Sequence, residues 1–374
     1  MRGIIILTIA FVLIGCSGKS KNHSNESFIS LQEESIERFN NGKDLFIVAD
    51  SCKLECNNKC LISDVKHVMA NDSYIIIIDK QDPLPIVFDR NGKFLYKIGK
   101  HGRGPGEIER NGWTVLTDSM IMVLVFPNYI INCYTFDNHF IREIDPKKTK
   151  FLFTKFHWSD PDLFLIHEYF VENSPVLAKY SVQTNSLSLL WMPDENILKK
   201  RPITDEAVFY QNYCTFSNKN SLFCCSDEYK ISFWMNDVKM GYFTNQYYEY
   251  EFLSTSNISS EDYWKEAFNH DRIRDIFLIN DSILIVDIDS PKALSNKTVK
   301  IGNIIAHEGN SGFYDLIDIK NNRIYSRILN SHNLRIINTF DNSAIAVKHN
   351  LILPNNSADS LQNPSIMFYK LNLN

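Results

Sequence analysis

The sequence predicts an all-β fold, a six-bladed β-propeller whose last blade is completed by a strand from near the N-terminus. Three observations predict it. A polar turn followed by a short apolar run recurs six times, the runs beginning at 74, 120, 163, 222, 283 and 344, so that successive units lie 43 to 61 residues apart. Four strands of about five or six residues with their turns need roughly that much chain. The 25 Phe and 17 Tyr outnumber 14 Gly and 12 Pro, a balance that suits the pleated surface of a sheet. Finally, the sixth repeat, with its last run at 366–371, is one strand short, whereas 45–49 is an apolar strand with no hairpin partner of its own.

The chain begins with Met1 and Arg2 and an apolar run of eleven residues, 4–14, broken only by Thr8 and Ala10. Eleven residues fall short of the roughly twenty that span a bilayer, and the length and flanks are those of a secretory leader. Leu13, Ile14, Gly15 and Cys16 follow, and this segment resembles the lipobox of bacterial lipoproteins, which implies cleavage after residue 15 and lipid attachment at Cys16. Acyl chains on one cysteine anchor a protein when more than one is present. An ordinary leader with an incidental Cys16 is the alternative. Residues 16–35, rich in Ser, Asn, Lys and Glu, read as a flexible tether, and 36–374 as the propeller. No acidic cluster follows Cys16, and by the same resemblance the expected location is the outer membrane, facing the periplasm.

Each repeat reads as a β-meander. The turns are Asn71-Asp72-Ser73, Asp118-Ser119, Ser159-Asp160-Pro161-Asp162, Asn220-Ser221, Asn280-Asp281-Ser282 and Asp341-Asn342-Ser343, each leading into its apolar run. Second strand pairs are predicted at 85–89 and 93–98 around Asn91-Gly92, at 131–136 and 140–144, and at 229–234 and 238–243. Asn-Gly supplies the positive φ angles of a tight hairpin. A four-stranded meander cannot bury both faces alone, and radial repetition into a ring solves that. Pairing 45–49 with the end of the sixth repeat would close the ring and remove its free edges. Two separate β-sandwiches are the competing architecture. From Ser259 to Arg274 the pattern breaks, and capping-type residues before Lys265, Glu266 and Ala267 predict a short inserted helix.

Lys53-Leu54-Glu55, Asp79 and the block VFDRNGKFLYKIGKHGRGPGEI at 87–108 are similar to the six-bladed propeller lipoproteins abundant in Bacteroidetes, a family related in pattern to NHL-repeat proteins. The resemblance implies the same fold and envelope location. It implies no particular activity.

The 39 Lys and Arg against 44 Asp and Glu give a net charge of −5, which leaves no positive field to gather nucleic acid. His101-Gly102-Arg103-Gly104-Pro105-Gly106-Glu107 suggests a phosphate loop but lacks the Gly-Lys-Ser/Thr ending and a following helix, so it reads first as a turn between blades. His101, Arg103, Glu107 and Trp113 are the candidate ligand-binding residues at the channel mouth. Cys56 and Cys60 flank a turn-like Asn57-Asn58-Lys59 and are the disulfide candidate, with buried thiols second and metal third. Adjacent Cys224 and Cys225 are expected to face opposite sides of a strand. Asp227, Asp287 and Asp289 are expected chiefly to cap turns rather than to converge on a metal, and Tyr247, Tyr248, Tyr250, Phe252 and Trp264 to pack between blades rather than to stack a sugar. No catalytic motif is present, so no catalytic residue, metal or cofactor is assigned. The expected function is recognition of a glycan, a peptide or an envelope protein. The alternative is a propeller hydrolase or lyase with a divalent metal held by dispersed ligands at the channel.

Overall fold

A computed structural model of the chain describes residues 27–37, 45–146, 151–167, 176–191, 212–216, 221–226, 229–235, 237–247, 250, 269–291, 297–301, 304–308, 312–329, 336–340, 342–348 and 363–372. Six antiparallel four-stranded sheets follow one another along the chain. The first blade is Val65–Ala70, Tyr74–Asp79, Ile86–Asp89 and Phe94–Lys97. The second is Arg110–Leu116, Ile121–Phe126, Ile130–Tyr134 and Phe140–Ile144. The third is Lys155–Ser159, Asp162–Ile166, Leu177–Ser181 and Ser186–Trp191. Asn212–Phe216, Ser221–Ser226, Ile231–Met235 and Val238–Phe243 make the fourth. The fifth is Arg272–Ile279, Ile283–Asp289, Gly312–Asp318 and Arg323–Leu329, with a hairpin, Lys297–Ile301 and Ile304–Glu308, inserted between its middle strands. Ile336–Phe340, Ser343–Lys348 and Ser365–Leu371 begin the sixth.

The missing strand comes from the other end of the chain. Phe46–Lys53 pairs antiparallel with Ser365–Leu371, from Phe46 opposite Leu371 to Lys53 opposite Ser365, with a bulge between Val48 and Asp50. The first strand of the sixth blade lies beside the first strand of the first, which closes the ring.

The apolar runs are the second strands, and their burial explains why they are apolar throughout. Successive side chains on a strand point to opposite faces, and in a ring both faces of a blade meet a neighbour. Ile75 and Ile77 therefore pack toward the sixth blade with Ile345, Ile366 and Phe368. Ile76 and Ile78 pack toward the second with Ile121, Val123 and Val125. The same division yields one apolar core at each of the six junctions. Each fully buried Ile contributes about 2 kcal/mol relative to an exposed one, so the four in Tyr74–Asp79 make the first blade's second strand a main source of its stability. Cys224 faces the third blade and Cys225 the fifth, on opposite sides as their adjacency requires.

Two expectations are corrected. Part of the stretch read as tether is laid against the propeller: Phe28 bridges Tyr242, Gln32–Glu33 pairs in parallel with Arg323–Ile324, and Leu31 is buried in the core between the fourth and fifth blades. Its polar composition is compatible with this because the strap binds mainly through its backbone, with Tyr242 N–H donating to the Ser27 carbonyl over 3.0 Å and Ile29 N–H to the Tyr242 carbonyl over 2.9 Å. Gly241 permits the approach, since a Cβ there would stand 2.5 Å from the Ser27 carbonyl oxygen. The C-terminal end of the helix expected to run to Arg274 is not helical, because Arg272–Ile279 is the first strand of the fifth blade. Residues 259–268 lie outside the described residues, as do Cys16 and 1–26.

Candidate functional site

All six first strands contribute to one central cavity of about 730 Å³, whose wall includes His67, Trp113, Lys155, His157, Cys214, Thr215, Asp275 and Asn338. The first strands lie innermost, where the blade faces open onto the cavity, so their side chains need not all be apolar and polar groups collect here.

Trp113, from the second blade, is the aromatic plate of the wall. The His67 ring of the first blade lies 4.3 Å from it, tilted by 34°. The Lys155 ammonium of the third blade stands 4.6 Å from its centroid, within cation–π range. Asn338 of the sixth blade donates to the Val68 carbonyl over 2.9 Å and approaches His67 Nε2 at 3.4 Å, tying the closing blade to the first at the cavity wall. Lys66 donates to the Gly112 carbonyl over 2.7 Å. Burial, reinforced by Lys155 and Lys66, lowers the His67 pKa to about 3. Burial lowers that of His157 to about 4. Both imidazoles are therefore neutral at physiological pH, each offering one donor and one acceptor.

The far end of the cavity is built from turns. Asn71 Oδ1 accepts from Ser73 and Tyr74 N–H at 2.9 and 2.8 Å, and Thr117 Oγ1 accepts from Met120 N–H at 3.0 Å. Asp72, Asp118, Asn280, Asp281 and Asn342 lie around them.

Of the four residues expected to bind ligand, only Trp113 lines this cavity. His101, Arg103 and Glu107 belong to the turn that carries the chain from the first blade to the second, where Lys100–His101 pairs in parallel with Glu107–Ile108. Glu107 Oε2 accepts from Gly104 N–H over 2.8 Å, and Arg103, exposed, pairs with Glu109. The turn is held by Asn132 donating to the Glu107 carbonyl and Tyr134 to the Gly106 carbonyl, so its glycines serve backbone geometry. Cys56 and Cys60 are not joined: Cys60 is wholly buried with its thiol donating to the Glu55 carbonyl at 3.3 Å, whereas Cys56 points to the surface.

The acidic residues divide likewise. Asp287 meets Arg274, whose Nη2 and Nε stand 2.6 and 3.1 Å from Oδ1, and burial pushes its carboxyl up to about 6. Asp289 pairs with Arg272, and Asp227 lies outside the described residues. Among the described residues no three His, Cys, Asp or Glu side chains are grouped to hold a metal ion. Tyr250 is buried between blades and donates to Asp315, which also accepts from Tyr229, Asn245 and the Arg327 N–H. Tyr247 is exposed and donates to the Leu31 carbonyl over 2.5 Å, holding the strap; Tyr248, Phe252 and Trp264 lie outside the described residues.

Some of the residues that carried the family resemblance, Lys53, Glu55, Gly92 and Phe94, form the joint at which the ring closes. Glu55 N–H donates to the Gly92 carbonyl over 2.7 Å, and Glu55 Oε2 accepts from Phe94 N–H over 2.9 Å. Gly92 has a φ of 82°, and a Cβ there would stand 2.2 Å from the Lys53 carbonyl oxygen. The wholly buried Asn363 side chain accepts from Ile62 N–H and donates to the carbonyls of Glu55 and Cys60. Asp79 accepts from Ser63, Asp64 and Gln81, and although burial opposes its charge, these donors hold its carboxyl below the usual range.

Six blades, a closing N-terminal strand and one aromatic and polar channel define a six-bladed β-propeller. Residues 43–370 match the family described as a domain of unknown function, DUF4934, and the chain belongs to that family. No curated protein matches the chain. Solved structures that share its fold include two from Bacteroides. One, from Bacteroides fragilis and described as a candidate exported protein, has 14% identity and a TM-score of 0.61, over 92% of this chain and all of that one. The other, a member of the DUF4221 family from Bacteroides vulgatus, has 11% identity and a TM-score of 0.62, over 87% of this chain and 98% of that one.

Proposed function

We propose that the protein is a lipid-anchored envelope propeller that binds a small segment of a glycan, a peptide or an envelope protein in its central channel. The observation that carries the reading is the Trp113 plate flanked by His67 and Lys155 within a cavity of about 730 Å³. An apolar face, neutral hydrogen-bonding rings and a cation on one wall suit a ligand that stacks and also carries polar or acidic groups. Attachment through Cys16 and a periplasm-facing outer-membrane location belong to the same reading, and the Bacteroides fragilis protein's description as exported agrees with it.

The test is a titration of the leaderless chain with neutral and uronic-acid oligosaccharides and with acidic peptides. Trp113→Ala is expected to weaken binding about tenfold, the loss of roughly 1.4 kcal/mol of stacking. Lys155→Met should weaken acidic ligands alone. A folded Trp113→Ala variant that binds as the wild type does would remove the channel as the site.

A further inference from the structure

The fourth blade places two thiols face to face at the channel wall. Cys214 on the first strand and Cys224 on the second are direct partners in the antiparallel register. Their sulfurs stand 2.7 Å apart. Opposed residues of an antiparallel pair have Cα atoms about 4.5–5.5 Å apart, inside the window of about 4.4–6.8 Å that a disulfide bridges. The S–S bond itself is about 2.05 Å, so closure needs a movement of well under 1 Å. The remaining described thiols are placed otherwise: Cys225 faces the core between the fourth and fifth blades, Cys133 lies between the second and third, Cys52 and Cys60 lie between the sixth and first, and Cys56 is exposed. Cys214 lines the cavity, within reach of a small oxidant, while Cys224 is wholly buried behind it.

We infer that Cys214 and Cys224 form a cross-strand disulfide in the channel wall. The Cys214 thiolate attacks a disulfide-bearing oxidant, an exported thiol oxidase in the cell or oxidised glutathione in vitro, and releases one thiol of that oxidant. Cys224, losing its own proton, then displaces the second thiol. Two protons and two electrons leave the pair, and the oxidant's disulfide becomes two thiols. Burial, followed by the bond to Cys214, pushes the Cys224 thiol well up, which makes the second displacement the slower one. The product pins the inner edge of the fourth blade at the cavity that the proposed function assigns to ligand. Formation in the cell rests on the reading of export; the geometry does not.

Lys219 separates the two cysteines, so trypsin leaves Cys214 and Cys224 on different peptides unless a bond joins them. The leaderless chain, prepared reduced and then treated with oxidised glutathione, is digested without reductant after free thiols are blocked with a maleimide. The expected result is one linked species, two hydrogens lighter than its parts, lost in Cys214→Ser and in Cys224→Ser and retained in Cys225→Ser. Absence of the linked species from folded wild-type protein overturns the proposal. The same digestion of the full chain, blocked in intact cells, separates the two readings. Linked peptides there support export as well as the bond, whereas a pair that links in vitro and stays reduced in cells upholds the site and overturns the envelope location.

Discussion

Burial holds the imidazoles of His67 and His157 neutral down to about pH 3 and about pH 4. In the unfolded chain each takes a proton near pH 6.5. Below about 6.5 the unfolded state therefore binds more protons than the folded one, and stability falls as pH falls, by up to about 1.4 kcal/mol per pH unit for each histidine. Asp287 acts in the opposite sense between about pH 4 and 6, because its raised pKa of about 6 lets the folded chain keep a proton that the unfolded chain releases. The informative quantity is thus the difference between variants. Urea unfolding at pH 7.5 and at pH 5 is expected to show a smaller loss of stability on acidification in His67→Gln and His157→Gln than in the wild type. Equal losses would mean that neither ring is kept neutral by its surroundings. Nothing in the local sequence marked these two residues. They lie ninety positions apart with no metal or catalytic spacing, and only the ring brings them to one wall.

The strand Phe46–Lys53 is exposed along most of its length, yet it covers the whole edge of Ser365–Leu371. Removing it bares a row of unpaired backbone groups and opens the joint made by Glu55 and Asn363. A chain beginning at Asp64 is expected to lose at least ~3 kcal/mol of stability and to self-associate, read by chemical unfolding and sedimentation; one beginning at Ser27 should show neither change. An undiminished midpoint in the shorter chain would show that closure is dispensable. This strand was legible in the sequence because an unpaired apolar run and a short last repeat complement each other. The second strands were legible for a related reason: burial on both faces leaves an apolar run such as Tyr74–Asp79 with no polar interruption. First strands were harder to read. Arg110–Leu116 and Lys155–Ser159 mix Trp, Thr, Lys and His because one side faces a water-accessible channel, and such a mixture resembles a loop. The Gly-rich turn at 102–106 drew attention toward His101 and Arg103 for the same reason in reverse: special backbone geometry and ligand binding favour the same residue types.

At the scale of the whole molecule, the six junction cores make a rigid wheel, and the strap from Ser27 to Glu34 grips it at a defined part of its rim, the outer edges of the fourth and fifth blades. With acyl chains on Cys16, the eleven residues between Cys16 and Phe28 give a leash of at most about 40 Å. Under the proposed anchoring, the gripped rim is the part of the wheel held nearest the bilayer. With Cys56 replaced by Ser, a dye at Val238→Cys on the gripped side should transfer energy to a lipid-borne acceptor more efficiently than one at Ile141→Cys on the opposite side. Equal transfer from both positions would mean that the wheel tumbles freely on its leash.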